Sequence, residues 1–150
     1  MFAKIIRLVL VLGLVWTTVG GAQAQAPTGS HFPNRFTGRQ LIVTAGTDDK
    51  RPEYRLLDNG LLFYREGTEG AFLQFGQQSK DQTLAWFRRA EQDLKIKATT
   101  AEKPEKPEGS VAWKKGKVEF VVAWASAKTA PDGYRAFYDE FLKLFPKKKK

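Results

Sequence analysis

Glu53-Tyr54-Arg55-Leu56-Leu57-Asp58-Asn59-Gly60-Leu61-Leu62-Phe63-Tyr64-Arg65-Glu66 is the stretch that decides how this chain folds. Two runs rich in aromatic and large aliphatic residues flank Asn59-Gly60, the dipeptide that best tolerates the positive φ angles of a type I′ turn. The stretch predicts a β-hairpin with a two-residue loop. In that register Leu56 faces Phe63 and Tyr54 faces Arg65 on one side, while Leu57 faces Leu62 and Arg55 faces Tyr64 on the other. Both sides hold large apolar residues, so either can supply the core. The second apolar face is then a candidate docking surface.

On the N-terminal side, Gln40 to Ala45 gives a short β-type run, and Gly46 to Pro52 is polar and turn-rich. On the C-terminal side, Gly67-Thr68-Glu69-Gly70 is a second turn, followed by a third strand of the meander over Ala71 to Phe75. Phe72 lies on the face opposite to Leu73 and Phe75, because side chains alternate along a strand. Ser79 to about Ile96 reads as a helix. Ser79 and Gln82 have capping-box spacing, and Leu84, Phe87, Ala90 and Leu94 recur at helical spacing. Glu91–Lys95 and Asp93–Lys97 form i,i+4 pairs in the favourable orientation.

Lys97 to Gly109 carries Glu102-Lys103-Pro104-Glu105-Lys106-Pro107-Glu108, which has no apolar residue to bury and reads as an exposed loop. Its Pro-x-x-Pro spacing matches a polyproline-recognition core, but charged proline loops are common. A second hairpin turns at Lys115-Gly116, placing Trp113 opposite Val118 and Val111 opposite Phe120. Val122 and Trp124 continue that face, whereas Lys114, Lys117, Ala112 and Glu119 occupy the other. This alternation predicts a half-buried antiparallel ribbon. Pro131 to Phe145 reads as a final helix with Thr129 as candidate cap. Its apolar stripe runs through Tyr134, Phe137, Tyr138, Phe141, Leu142 and Phe145. The order β-β-β-β-α-β-β-α predicts an α+β domain over residues 39–146, an antiparallel sheet with two helices packed on one face.

Residues 1–24 or 1–26 read as a cleavable secretory signal: basic Lys4 and Arg7, an apolar run from Leu8 to Val19, and small residues ending at Ala24 or Ala26. The 12-residue run is short of the roughly 20 residues that span a bilayer as a helix, and a retained N-terminal anchor is the alternative to cleavage. Residues 25–38 read as a leader loop and Lys147–Lys150 as a basic tail. The chain of 150 residues carries a formal +9. Setting aside Lys4, Arg7 and the four terminal lysines leaves 19 basic against 16 acidic residues, a net +3. Most of the apparent basicity therefore sits in two detachable pieces. Export without cysteine fits a bacterial periplasm or secretion from a bacterium better than an animal extracellular space.

The absence of cysteine excludes disulfides, thiolate metal sites and cysteine nucleophiles. The single histidine, His31, sits in the leader loop with no base–nucleophile partner beside it. No metal-ligand spacing and no phosphate-cradling glycine loop is present, so no cofactor is expected. Asp48-Asp49 and Asp139-Glu140 are the paired carboxylates. The first pair lies in a polar turn beside Lys50-Arg51 and not in the desolvated setting a general acid needs, and adjacent residues on a helix do not converge on one substrate atom. The candidate binding residues are Lys114, Lys115 and Lys117 at the second hairpin tip and Arg88-Arg89 on the first long helix. They suit an anionic lipid or polymer, and export with a nearly balanced body argues against nucleic acid. Trp86, Trp113 and Trp124 read as core, not as a sugar platform.

Tyr54-x-Leu-Leu-x-Asn-Gly60-x-Leu-Phe63, the Trp86-Phe87 helix, Val121-Val-x-Trp124 and the aromatic helix from Pro131 are similar to a loose group of small exported bacterial proteins without an assigned function. The similarity spans roughly residues 39–145. It implies the same fold and export, and carries no catalytic residue over. The Glu-Lys-Pro loop and the lysine tail depart from that group. The expected function is an exported, non-enzymatic domain that binds a protein or a cell-envelope component. The alternatives are a small carboxylate-dependent hydrolase and an anionic-polymer or lipid binder.

Overall fold

A computed structural model describes residues 32–48 and 50–145. The signal segment, His31, Asp49 and the lysine tail lie outside the described residues. The elements run α1 (Phe32–Arg35), β1 (Arg39–Ala45), β2 (Pro52–Leu57), β3 (Leu61–Glu66), β4 (Leu73–Gln77), α2 (Lys80–Arg88), a π-helical turn (Arg89–Asp93), β5 (Gly109–Lys115), β6 (Val118–Trp124) and α3 (Tyr134–Leu142). All six strands join one antiparallel sheet in the order β4-β3-β2-β1-β5-β6. This is the expected α+β architecture, with one short helix added inside the stretch read as a leader loop.

The first hairpin departs from the expected register. Its loop has three residues, Asp58-Asn59-Gly60: Gly60 N–H donates to Leu57 C=O at 2.9 Å, and Gly60 has φ 90°. Three-residue hairpins combine a type I turn with a left-handed residue, and glycine takes that position without steric cost. Asp58 belongs to the loop because it is tied to β1. Its side chain accepts from Arg39 N–H and its own N–H donates to Arg39 C=O, both at 2.9 Å. The pairs are therefore Leu56 with Leu62, Arg55 with Phe63, Tyr54 with Tyr64 and Glu53 with Arg65.

This shift of one residue sorts the two faces. Leu56, Leu62, Tyr54 and Tyr64 join Leu41, Val43, Val111, Trp113, Val122 and Trp124 in the main core. Phe87 and Ala90 from α2 and its π turn, and Tyr134, Phe137, Tyr138 and Phe141 from α3, close that core from one side. Arg55, Phe63, Glu53 and Arg65 stand on the far face. There Leu57, Phe63 and Phe72 form a second, smaller core under Phe32 and Phe36.

Ser79 caps α2 with both capping-box hydrogen bonds, as its spacing predicts. The helix then widens into the π turn and ends at Asp93, capped by Leu94, short of the expected Ile96. Lys95 takes φ 51° and the buried Ile96 follows it in a turn, its N–H donating to Ala90 C=O at 3.1 Å. Leu84, expected on the apolar stripe, is exposed, and Thr83 is buried in its stead. The π turn also breaks the expected i,i+4 pairs. Glu91 instead accepts from Trp113 Nε1 at 2.7 Å and pairs with Arg39 and Lys97.

The second hairpin turns at Gly116-Lys117 and pairs Trp113 with Phe120 and Val111 with Val122. The turn shifts by one residue, but each side chain keeps its expected face because the pairing moves by two. Thr129 closes a local turn with Ser126, and Gly133 stands at the N-cap of α3 without a side-chain bond.

Candidate functional site

Both long helices cover the same face of the sheet, so a site open to partners must be sought on the far face or at the sheet edges. The apolar second face expected on the meander is not open. Over β2 and β3 it is covered by α1 and by Phe72, which is 1% exposed. The guanidinium groups of Arg55 and Arg65 both lie over the Phe72 ring, each 4.5 Å from its centroid. Glu53 binds both arginines, with Arg65 Nη2 at 2.6 Å. Arg55 Nη1 donates to Gln40 Oε1 at 3.1 Å, and Gln40 Nε2 donates to the Phe36 carbonyl at 3.1 Å. Arg65 Nη1 reaches the Thr68 carbonyl. A chain of polar contacts thus runs from α1 across β1, β2 and β3 to the β3–β4 turn.

Burial pulls the Arg55 guanidinium below its ordinary pKa, opposed by its bond to Glu53. The network holds two cations on one carboxylate, and the charge of Glu119 also acts on Arg55. Beside it, over β1, β5 and β6, the far face forms a groove of about 280 Å³. Thr44, Ser110 and Ala123 lie side by side in register across its floor. Small side chains there leave the groove, whose rim is Arg51, Glu53, Thr68 and Pro107. Val121, on the outermost strand, is 51% exposed. The groove therefore offers hydroxyls, methyl groups and the Arg51 guanidinium, while Glu53 at its rim is bound to Arg55 and Arg65.

For catalysis the same groove lacks a base. The Glu53 carboxylate is committed to two guanidinium groups, and a general base must be free to take a proton. Glu66 and Glu69 flank a shallow concavity of about 380 Å³ at the β3–β4 turn. Both are exposed, and Glu66 accepts from Tyr64 OH at 2.7 Å. Asp139 pairs with Arg135, and Glu140 pairs with Arg89, whose hydrogen bond and charge hold the Glu140 carboxyl below its usual range. Among the described residues no cluster of three or more His, Cys, Asp or Glu is placed to hold a metal ion.

The basic residues singled out from the sequence do not form one patch. Lys114 and Lys115 point to opposite faces of β5, and Lys114 stands opposite Glu119 in the ladder. Lys115 and Lys117 are exposed at the tip, and Arg88 is exposed on α2. Arg89 is engaged: it pairs with Glu140 and stacks over Trp86 and Phe137. Trp113 and Trp124 are buried and Trp86 is half-buried, edge-on to Phe137 and Phe141. The groove was missed because its floor is built from Thr44, Ser110 and Ala123, which carry no sequence signal until the register unites them.

No protein-family model, no curated protein and no solved structure matches this chain.

Proposed function

We propose that the chain is an exported, non-enzymatic binding domain that engages a protein or envelope component through the far-face groove. The observation that supports this most is that the far face, covered over β2 and β3 and buried at Gln40, Ile42 and Ala112, is hollow at the Thr44–Ser110–Ala123 end of β1, β5 and β6. Concave surfaces with a few polar groups among apolar ones are the usual form of binding sites. A photo-cross-linker at Ser110, activated in the envelope of the source cells, tests the reading. One discrete adduct is expected, lost when Ala123→Phe fills the groove. No adduct, or one indifferent to Ala123→Phe, would sink it. Export itself is checked by N-terminal sequencing of the mature protein, expected to begin at Gln25 or Pro27.

A second reading, binding to an anionic polymer or lipid, is favoured by one observation. Lys115 and Lys117 are exposed without an ion-pair partner among the described residues. Charge-driven retention on anionic liposomes should fall as salt shortens the Debye length. It should fall further in Lys115→Gln/Lys117→Gln. Retention indifferent to both would remove this reading.

A further inference from the structure

The two edges of the sheet differ. At β4 the pairing slips between Leu62 and Phe63, and the strand has only five residues with Gly76 among them. Bulges and short strands are how natural sheets blunt an edge against pairing with other chains. At the opposite edge β6 runs Val118-Glu119-Phe120-Val121-Val122-Ala123-Trp124, unbroken and in regular register with β5. It holds no proline, no glycine and one charge. Five of its seven residues are β-branched or aromatic, the types that favour strands.

The orientation of its outer groups follows from the hairpin. Lys115 and Val118 close a two-residue loop, so Val118, Phe120, Val122 and Trp124 turn their backbone groups toward β5. The Trp124 carbonyl confirms this by accepting from Glu108 N–H at 2.8 Å. Glu119, Val121 and Ala123 therefore direct N–H and C=O outward, and none of these groups has a hydrogen-bond partner among the described residues. Val118 and Val121, exposed by 54% and 51%, flank this edge on opposite faces.

We propose that β6 pairs antiparallel, about a two-fold axis at Val121, with β6 of a second copy of this chain. The strand is its own complement in that register. Val121 meets Val121 in a pair that exchanges both hydrogen bonds, and Glu119 and Ala123 meet in two further such pairs. On the helix side Phe120 meets Val122 and Val118 meets Trp124. The single charge, Glu119, lands opposite alanine and not opposite itself, which avoids the like-charge penalty of cross-strand pairs. The two basic tips fall at opposite ends of the joint, roughly 20 Å or more apart at about 3.4 Å per residue, beyond a Debye length at physiological salt. Each tip lies instead toward the partner's Trp124 end, beside Glu108. Such an interface is isologous and closes on itself. Edge pairing also sets the two grooves side by side, since Val121 and Ala123 border both. The joint is small, below the area of standard stable interfaces, so the dimer is concentration-dependent.

Sedimentation of the purified protein over a wide concentration range, with amide exchange at both ends of that range, tests this. The expected result is a mass that doubles with concentration. Amides of Glu119, Val121 and Ala123 should slow by about tenfold or more as the dimer fills, while those of β4 stay unchanged. Val121→Lys, which leaves every bond to β5 intact, and Val121→Pro, which removes only an outward N–H, should both stay monomeric. Leu73→Lys on the other edge should dimerise normally. A monomeric mass at all concentrations, or dimers in both Val121 variants, overturns the proposal. So does protection of those three amides that arises only when an envelope extract is added, because β6 then serves a different strand.

Discussion

Glu53 joins two nearly buried guanidinium groups on the far face of the sheet. Among the described residues it is the one carboxylate that ion-pairs with Arg55 and Arg65, whose side chains are 6% and 13% exposed. Breaking such a pair from one side strands the remaining charges, at a cost of about 3–5 kcal/mol when buried. Glu53→Ala should therefore lower stability by about 3 kcal/mol in urea denaturation, and a loss under 1 kcal/mol would contradict the assignment. Gly109 has a different constraint. A Cβ there would sit 2.8 Å from the Trp124 ring, which is itself 1% exposed and cannot retreat. Gly109→Ala should destabilise by about 1–3 kcal/mol through overpacking, read as a fall in the melting midpoint. Trp124 Nε1 is buried without a hydrogen-bond partner among the described residues. The reading of Trp113 and Trp124 as core holds, although nothing about a tryptophan in the sequence distinguishes the indole that finds Glu91 from the one that finds nothing.

At the scale of elements, local chemistry and tertiary demand divide the outcome. The α2 cap is local: Ser79 and Gln82 are three residues apart and satisfy each other's backbone groups. Ser79→Ala should cost about 1 kcal/mol, and no change in the denaturation midpoint would show the cap to be idle. The aromatic stripe of α3 is similarly legible, since Tyr134, Phe137, Tyr138, Phe141 and Phe145 are all buried as their spacing requires. The end of α2 was not legible. Phe87, Ala90 and Ile96 are all buried, a spacing that an unbroken α-helix does not put on one stripe. The π turn ends the helix at Asp93, and the positive φ of Lys95 redirects the chain so that Ile96 is buried from the turn beyond it. The first hairpin failed for a related reason. Asn59-Gly60 reads as a two-residue turn until Asp58 is seen bonded to Arg39, nineteen residues away. Each one-residue step in pairing exchanges the faces of a strand.

At the scale of the whole molecule, all four tyrosines feel the shared core. Burial raises the pKa of Tyr54, Tyr64, Tyr134 and Tyr138 above the ordinary 10.0, and for Tyr64 the Glu66 carboxylate adds to it. An acid whose folded pKa lies above its unfolded value binds more protons when folded, so stability is intact below about pH 10 and falls as pH rises above it. Alkaline titration should show tyrosinate absorbance appearing late and together with loss of the folded circular-dichroism signal. Four tyrosines that ionise near pH 10 without unfolding would contradict it. The sequence by itself determined the order of the six strands and two long helices, the α2 cap, the apolar stripe of α3 and the inward face of β5 and β6. These depend on neighbours within a few residues, where periodicity and capping act directly. Only the tertiary structure decided the register of β2 on β3, the docking of Phe32 and Phe36 over Phe63, and the groove over Thr44, Ser110 and Ala123. Those features join residues far apart in the chain, and the free energy that selects them comes from burial on a shared surface, which no local window of sequence contains.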